Sequence, residues 1–585
     1  AVAVRGWTPV GEFAQAELRV RDFWAHPPSL GAVGRLRTPT DVSSHPGPAS
    51  WYAMYPFYAV LGRSAVALAA SVAATAWCWA ATAVALAWRR GGDAFAVMLG
   101  IGVLGLFAGL GPISFVEPWN PWFAVVPLLT VTIATWAVLD GSRWALVVVV
   151  VGATYCVQAH FGFLPIVGLL GVVALVGWWW NWRRCEGSSR SLVPLGVALG
   201  VGILLWVPPV LQQLTGDPGN MRVIFDAYRQ EAGREAKLGI GGALSLLAAY
   251  VHPLSPARLL DQRLATAQSA DGGSLVVFLA WVGAVVTAWK GRADRQTARA
   301  GLLVAVASIG LAGSVVAASQ IPGEVFGYLV LWLVVLVVVL LVSIVWVGWV
   351  WVTRPHEGGE GALRAPLRPV ARNGAVLGVA AIVFASVWTT VEFARTDVPA
   401  TQLSEVAGEL ADSVGAQLGD PSDAQRWLVR WEDPLAFGAL GTGLLSELER
   451  QGFDVGVDDH LRVEMRPHRV LPESDADGVL VVVTGEGIGA WEERAEEPGS
   501  GVRELVRVDP RDASTLDASE QLRESVQADL EALGGPDLAE QLDENYWVAR
   551  SDPRVGAQLR DRIDELSPMG LPTAVFLVPV DSGVS

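Results

Sequence analysis

The chain has 585 residues, of which 52% are hydrophobic and only 17% charged, with a mean hydropathy of +0.40 and a formal net charge of −16. The charges are gathered into a few blocks, so a single water-soluble core is excluded and a bilayer protein is expected. The acidity of the region after Val391 argues against nucleic acid as a partner.

A hydrocarbon layer of roughly 30 Å takes about 20 apolar residues per helix, and runs of that length recur along the chain. Taken in order they are Ala65–Trp88, Ala94–Ile113, Trp122–Leu139, Trp144–His160, Phe161–Trp180, Leu192–Leu214, Leu275–Trp289, Gly301–Ser319, Tyr328–Val352 and Ala375–Trp388. The fold class expected is therefore an α-helical polytopic membrane bundle with about ten visible spans, followed by a C-terminal extracytoplasmic α/β domain. Three regions follow: residues 1–64 as a first extracytoplasmic loop, 65–391 as the bundle and 392–585 as the soluble domain.

Orientation comes from charge. Arg89-Arg90, Arg143, Arg183-Arg184-Arg190, Lys290-Arg292-Arg295-Arg299 and Arg354-Arg364-Arg368-Arg372 fall on every second connection, which the positive-inside rule assigns to the cytoplasm. The alternate turns, Glu117 to Asn120, Gln158 to His160 and Gln320 to Glu324, carry no Lys or Arg and are expected outside. The same parity puts residues 1–64, the Leu214 to Ser274 loop and everything after Val391 outside. Because the chain opens on such an outer segment, an upstream helix is expected, about eleven spans in the full-length chain.

Cys78 and Cys156 fall in spans and Cys185 on the cytoplasmic side, so no disulfide framework is present. Tryptophans cluster at Trp178 to Trp182 and at Trp346 to Trp351, where rings anchor in the membrane interface. Ionisable residues are nearly absent from span interiors, and an ion-coupled pump that uses one would show it there. Polar residues gather instead at the outer helix ends, the expected working surface.

The densest polar cluster is Gly11-Glu12-Phe13-Ala14-Gln15-Ala16-Glu17-Leu18-Arg19-Val20-Arg21-Asp22. On a helix, Glu12 and Glu17 stand about 140° apart, as do Glu17 and Asp22, so the three carboxylates need not share a face. A carboxylate in a partly dry pocket can take the proton of an attacking hydroxyl. The alternative is a solvated segment whose carboxylates pair with Arg19 and Arg21.

This segment, with His45-Pro46-Gly47-Pro48 and Tyr52 to Tyr58 before a span, resembles the first outer loop of membrane glycosyltransferases of the GT-C superfamily. Trp119-Asn120-Pro121-Trp122, Gln158-Ala159-His160, Trp206-Val207-Pro208-Pro209 and Gly216-Asp217-Pro218-Gly219-Asn220 extend the resemblance through the membrane region. It implies transfer of a sugar from a polyprenyl-phosphate donor to an envelope glycan, lipid or protein acceptor outside the cytoplasm, in a cell membrane whose lipids are further partners. It also implies an acidic catalytic residue in the first loop, acting as general base. The family commonly has Asp after the glycine where this chain has Glu12, so the role falls to Glu12, then Glu17, then Asp22, unless it has been lost.

Arg19, Arg21 and Arg222 are the outer cations nearest these motifs and suit phosphate through paired hydrogen bonds; a divalent cation is the alternative. His45, Glu117, Asn120, Gln158 and His160 are expected to line the same mouth, Asn120 and Gln158 on sugar hydroxyls, with no metal site established by the two histidines. Ala243 to Tyr250 either lies along the interface or packs on the bundle. The competing function is a non-enzymatic transporter, flippase or envelope scaffold of the same topology.

In the C-terminal region, strands are expected at Arg426–Trp431, Phe453–Val457, Val479–Val483 and Ala574–Val580, and helices at Leu435–Arg450, Glu520–Leu533 and Val555–Leu566. Gly438, Gly441 and Gly443 do not have the G-x-G-x-x-G spacing of a nucleotide loop and are read as packing glycines.

Overall fold

The computed structural model describes residues 6–184, 191–259, 265–353, 400–433, 438–544, 546–552, 554–566 and 569–580. The chain forms two compact units, one of Phe23–Thr396 and the other of Ala1–Asp22 together with Asp397–Ser585. Residues 1–64 are therefore not one loop: the acidic segment, helix α1 (Glu12–Arg21), folds with the C-terminal region.

The unit from Phe23 opens with a short antiparallel hairpin, β1 (Val33–Arg37) and β2 (Val42–Ser44), and helix α2 (Ala49–Val60). The bundle follows as α3 (Ala65–Leu110), α4 (Val125–Leu139), α5 (Ala145–Ala159), α6 (Leu164–Arg183), α7 (Val193–Thr215), α8 (Asn220–Arg234), α9 (Gly239–Tyr250), α10 (Gly272–Lys290), α11 (Arg295–Ser319) and α12 (Leu331–Thr353). Ser64, Asp271 and Asp294 cap α3, α10 and α11 by accepting the amide N–H three residues on, which satisfies a donor otherwise left open at each helix start.

Seven helices among the described residues are long and apolar enough to cross a membrane. One of them is α3, whose 46 residues are broken at Gly92 (φ 79°), a backbone conformation that glycine enters at little cost. The chain folds back there: the Trp77 ring on the first arm lies 5.4 Å from Phe107 on the second. The two expected spans are thus the arms of one hairpin. The expected span Trp144–His160 is a 15-residue helix, about 22 Å long and shorter than the hydrocarbon core. The expected span Ala375–Trp388 lies outside the described residues.

Burial sorts the helices. In the most apolar stretch of Asn120–Leu139 94% of residues are buried, and in that of the segment containing α12 83%, so these predominantly apolar helices form the centre. By contrast α7 and α10 are each 17% buried and expose Ile203, Leu204, Leu275, Val276 and Leu279. Such an aliphatic surface is stable only against lipid or another apolar partner. Helix α9, which contains the apolar stretch Ala243 to Tyr250, packs on α11 and buries Ala243, Leu246, Ala249 and Tyr250.

Contacts between turns divide the bundle into two ends. At one, Asp140 accepts from Arg90 Nε and Arg299 Nε, each at 2.8 Å, and Asn181 Nδ2 donates to the Val138 carbonyl at 2.9 Å. At the other, His45 stacks on His160, Trp119 meets Tyr328, and the Gly323 amide donates to the Ala236 carbonyl at 3.1 Å. The arginines of the first end belong to connections that charge alternation assigns to the cytoplasm, and the second group to those it assigns outside.

The other unit contains α13 (Thr401–Leu418), β3 (Arg426–Glu432), α14 (Ala439–Gln451), β4 (Asp454–Gly456), β5 (Gly478–Thr484), α15 (Gly487–Glu496), β6 (Arg503–Val508), α16 (Ala513–Gly534), α17 (Pro536–Glu544), α18 (Tyr546–Ser551), α19 (Ala557–Leu566) and β7 (Thr573–Val578). The five strands run in the order β4-β3-β5-β7-β6, with β3 parallel to β4 and β5, and β7 antiparallel to β5 and β6. Central β5 is buried along its whole length, as its unbroken Val-Leu-Val-Val-Val run requires of a strand covered on both faces. Helices α13 and α14 cover one face, and Val10 and Leu18 from the start of the chain join the core beneath them. Gly443 is a packing glycine: a Cβ there would lie 2.9 Å from Val10 and 3.1 Å from Ala407.

Candidate active site

The acidic cluster is built by α1. Residues Ala14, Glu17 and Leu18 lie along the buried stripe of this helix, while Glu12 in its first turn is exposed. Gly11 turns the chain into the helix at φ 55° and donates its amide to Thr442 Oγ1 at 2.8 Å and to the Ala439 carbonyl at 3.2 Å, both in the first turn of α14. A side chain at position 11 would be strained there and would press on Ala439.

Glu17 is fully buried, with Arg450 Nη2 donating to its Oε2 at 2.6 Å. Burial alone would lower the Arg450 pKa, but the carboxylates of Glu17 and Glu447 outweigh that and hold it above its ordinary value. Asp22 receives Arg469 Nη2 at 2.5 Å and faces His468 Nε2 at 3.2 Å. Burial pushes the Asp22 carboxyl up, and the His468 hydrogen bond together with Arg469 overrides it, leaving a pKa of about 2. Arg469 also grips Glu449 through two bonds of 2.7 and 2.8 Å.

The two arginines expected to hold phosphate turn into the same unit. Arg19 is 4% exposed, donates to the carbonyls of Gln15 and Val463, and has its pKa lowered to about 10 by burial and by the charges of Arg466 and Arg469. Arg21 donates to the Ser446 carbonyl at 3.1 Å and pairs with Glu449 at 3.1 Å. Arg450 and Arg469, more than 400 residues along the chain, carry no local signal that would have singled them out.

The polar turns of the other unit form a second constellation. Gln158, fully buried, accepts the Ala49 amide at 3.1 Å and donates to the Leu205 carbonyl at 2.8 Å. Gly47 sits directly on it, since a Cβ there would fall 2.4 Å from the Gln158 amide carbon and 2.7 Å from Pro209. His45 stacks on His160 at 4.8 Å, and its Nδ1 accepts the Phe161 amide at 3.4 Å. Burial, helped by His160, holds His45 well below the usual imidazole pKa, so the ring is neutral near neutral pH. Among the described residues the His160 Nδ1 and the Trp332 Nε1 are buried without a hydrogen-bond partner, and both rings border Gly162.

Asn220 binds both backbone groups of Ser44, accepting its amide and donating to its carbonyl at 2.8 Å each, which fixes β2 on α8. Asn120 is buried at the start of a short helical turn, Asn120–Phe123. Glu117 accepts Trp122 Nε1 at 2.9 Å beside Trp119, and burial raises its pKa to about 7 against the smaller opposing effect of that bond. Arg222 is exposed and meets Asp226 at 3.7 Å. Of the five residues expected to line one mouth, His45, Gln158 and His160 lie near one another. Sequence reading passed over Asn220 as a site residue, although that asparagine closes the same turn. Among the described residues no group of three or more His, Cys, Asp or Glu side chains is arranged to hold a metal ion.

An apolar bundle with aliphatic outer helices, nearly charge-free spans and polar turns gathered at one end is a polytopic integral membrane protein. No family model and no curated protein matches the chain. Among solved structures it is similar to ArnT from Cupriavidus metallidurans bound to undecaprenyl phosphate, with 15% identity, 87% of this chain and 94% of that chain covered, and a TM-score of 0.45. It is also similar to the archaeal oligosaccharyltransferase AglB from Archaeoglobus fulgidus in complex with an inhibitory peptide and a dolichol-phosphate, with 10% identity, 98% and 86% covered, and a TM-score of 0.39.

Proposed function

We propose that the protein is a membrane glycosyltransferase of the GT-C type, moving a sugar from a polyprenyl-phosphate donor to an envelope acceptor on the extracytoplasmic side, where the C-terminal domain also resides. The observation that carries this reading is that the polar turns of His45, Gln158 and Asn220 lie at one end of a bundle whose spans lack the internal charges of an ion-driven pump. The motifs around Glu12, His45 and Gln158 support it.

In this reading the acceptor hydroxyl attacks the anomeric carbon in a single displacement. Its proton passes to a carboxylate, and the bond to the lipid phosphate breaks with its electron pair leaving on the phosphate. Glu12 is the proposed base, because it is the exposed carboxylate of α1. Glu17 and Asp22 are assigned to holding that helix rather than to chemistry, since each carboxylate is already engaged by an arginine. Arg19 and Arg21 are likewise structural here, so of the three arginines expected at the phosphate Arg222 is the one proposed to meet it. His45, Glu117, Asn120, Gln158 and His160 are proposed to bind the donor directly or by shaping its pocket.

The test is transfer from radiolabelled polyprenyl-phosphate sugars by the full-length protein. Glu12→Gln is expected to lower turnover roughly 10²–10⁴-fold, the usual contribution of a general base. Unchanged turnover would remove Glu12 from the mechanism. Absence of transfer with every donor and acceptor would favour a transporter, flippase or scaffold.

A further inference from the structure

We infer that Arg450 and Arg469 are positioning residues that hold the acidic helix α1, and Glu12 with it, on helix α14. This inference rests on the assignment of Glu12 as base and extends it to residues far away in sequence.

The contacts are of a kind that fixes a helix in one register. A helix attached by apolar packing alone would carry an aliphatic residue at position 17, in the middle of its buried stripe. Instead the chain buries a carboxylate there, and Arg450 meets it at 2.6 Å. A pair of this kind tolerates little displacement, because a carboxylate with no exposed surface is costly to draw away from the cation that meets it. The second clamp closes the helix end: Arg469, 4% exposed, bridges Asp22 and Glu449. The third is at the start, where the Gly11 amide reaches Thr442, and the Thr8 amide reaches Ser404 Oγ at 2.8 Å. Glu12 lies immediately beside this last anchor, so its carboxylate can move only as far as the first turn of α1 moves. Leu18 and Val10 contribute the apolar share of the same attachment.

Charge arrangement also separates positioning from chemistry. Glu17 has no exposed surface through which an acceptor hydroxyl could approach. Its value to the protein is the bond to Arg450, and a neutral pair of similar size can substitute for that bond.

The experiment uses the full-length protein and four variants: Arg450→Gln, Arg469→Gln, Glu17→Gln and the double variant Glu17→Gln/Arg450→Gln. Turnover and the Michaelis constant for the lipid donor are measured together with amide hydrogen exchange over residues 12–21, with β5 as an internal control for folding. Arg450→Gln and Arg469→Gln are expected to lower kcat at least about tenfold, to change KM less than about twofold and to speed exchange in α1 while β5 stays protected. The double variant is expected to recover most of the lost turnover and protection, which a merely reactive carboxylate at position 17 would not allow. The inference is overturned if either arginine variant leaves kcat and α1 exchange unchanged, or if the double variant is as impaired as Arg450→Gln. If no donor is turned over by the wild type, the transferase reading fails. The exchange data then still decide whether the two arginines hold α1.

Discussion

Glu117 offers the most direct test of the electrostatics at the polar end of the bundle. Burial lifts its carboxyl from the ordinary 4.5 to about 7, while the Trp122 indole N–H holds one oxygen at 2.9 Å. The folded protein therefore binds this proton more tightly than the unfolded chain. The stabilisation is fully present below the unfolded pKa and is lost as pH rises through about 7. Each unit is worth about 1.4 kcal/mol, so the ionised carboxylate costs about 3 kcal/mol in alkaline solution. Glu117→Gln keeps an oxygen acceptor for Trp122 and removes the titration. The variant should match the wild type below about pH 4, gain on it between about pH 4.5 and 7, and stay ahead by about 3 kcal/mol above that. Thermal unfolding in detergent across that range reads the difference directly. A stability gap that does not change with pH would refute the reasoning, and a variant that loses ground as pH rises would reverse its sign.

Other outcomes follow from the charge network. Asp140→Ala should destabilise the bundle by about 2 kcal/mol, because Arg90 and Arg299 lose the carboxylate they share while keeping some solvent contact; unfolding of the variant in micelles checks this. Asp22 has its folded pKa depressed from 3.8 to about 2, so its contribution of about 2 kcal/mol is present above pH 4 and lost as pH falls toward 2. Asp22→Asn should therefore lower stability at neutral pH and flatten the acid limb of the unfolding profile.

Much of the bundle is legible residue by residue. The arms of α3 meet at Gly92 where Arg89 and Arg90 interrupt two apolar runs, and α6, α7, α10, α11 and α12 each cover an expected span. In the other unit β3 and β5 lie within a residue or so of their expected positions. Strand β6 and helix α15 went unanticipated: Arg503–Val508 alternates charge with apolar residues only briefly, and Gly487–Glu496 begins with glycines that weaken a helical pattern.

The site divides differently. That His45, Gln158 and His160 come together could be anticipated, because charge parity sends all three to one side of the membrane. The parts of Glu17, Arg19, Arg21 and Asp22 could not. In sequence they read either as catalytic groups or as carboxylates paired with Arg19 and Arg21; in the fold, Glu17 meets Arg450 and Asp22 meets Arg469.

By itself, then, the sequence determined most of the apolar helices and which turns share an end of the bundle, because the bilayer acts as a solvent on each segment separately and tolerates few exceptions. Which acidic residue is exposed and which is locked was decided only by tertiary structure. A carboxylate's role depends on the charge that meets it when it is buried, and here that partner lies more than 400 residues away.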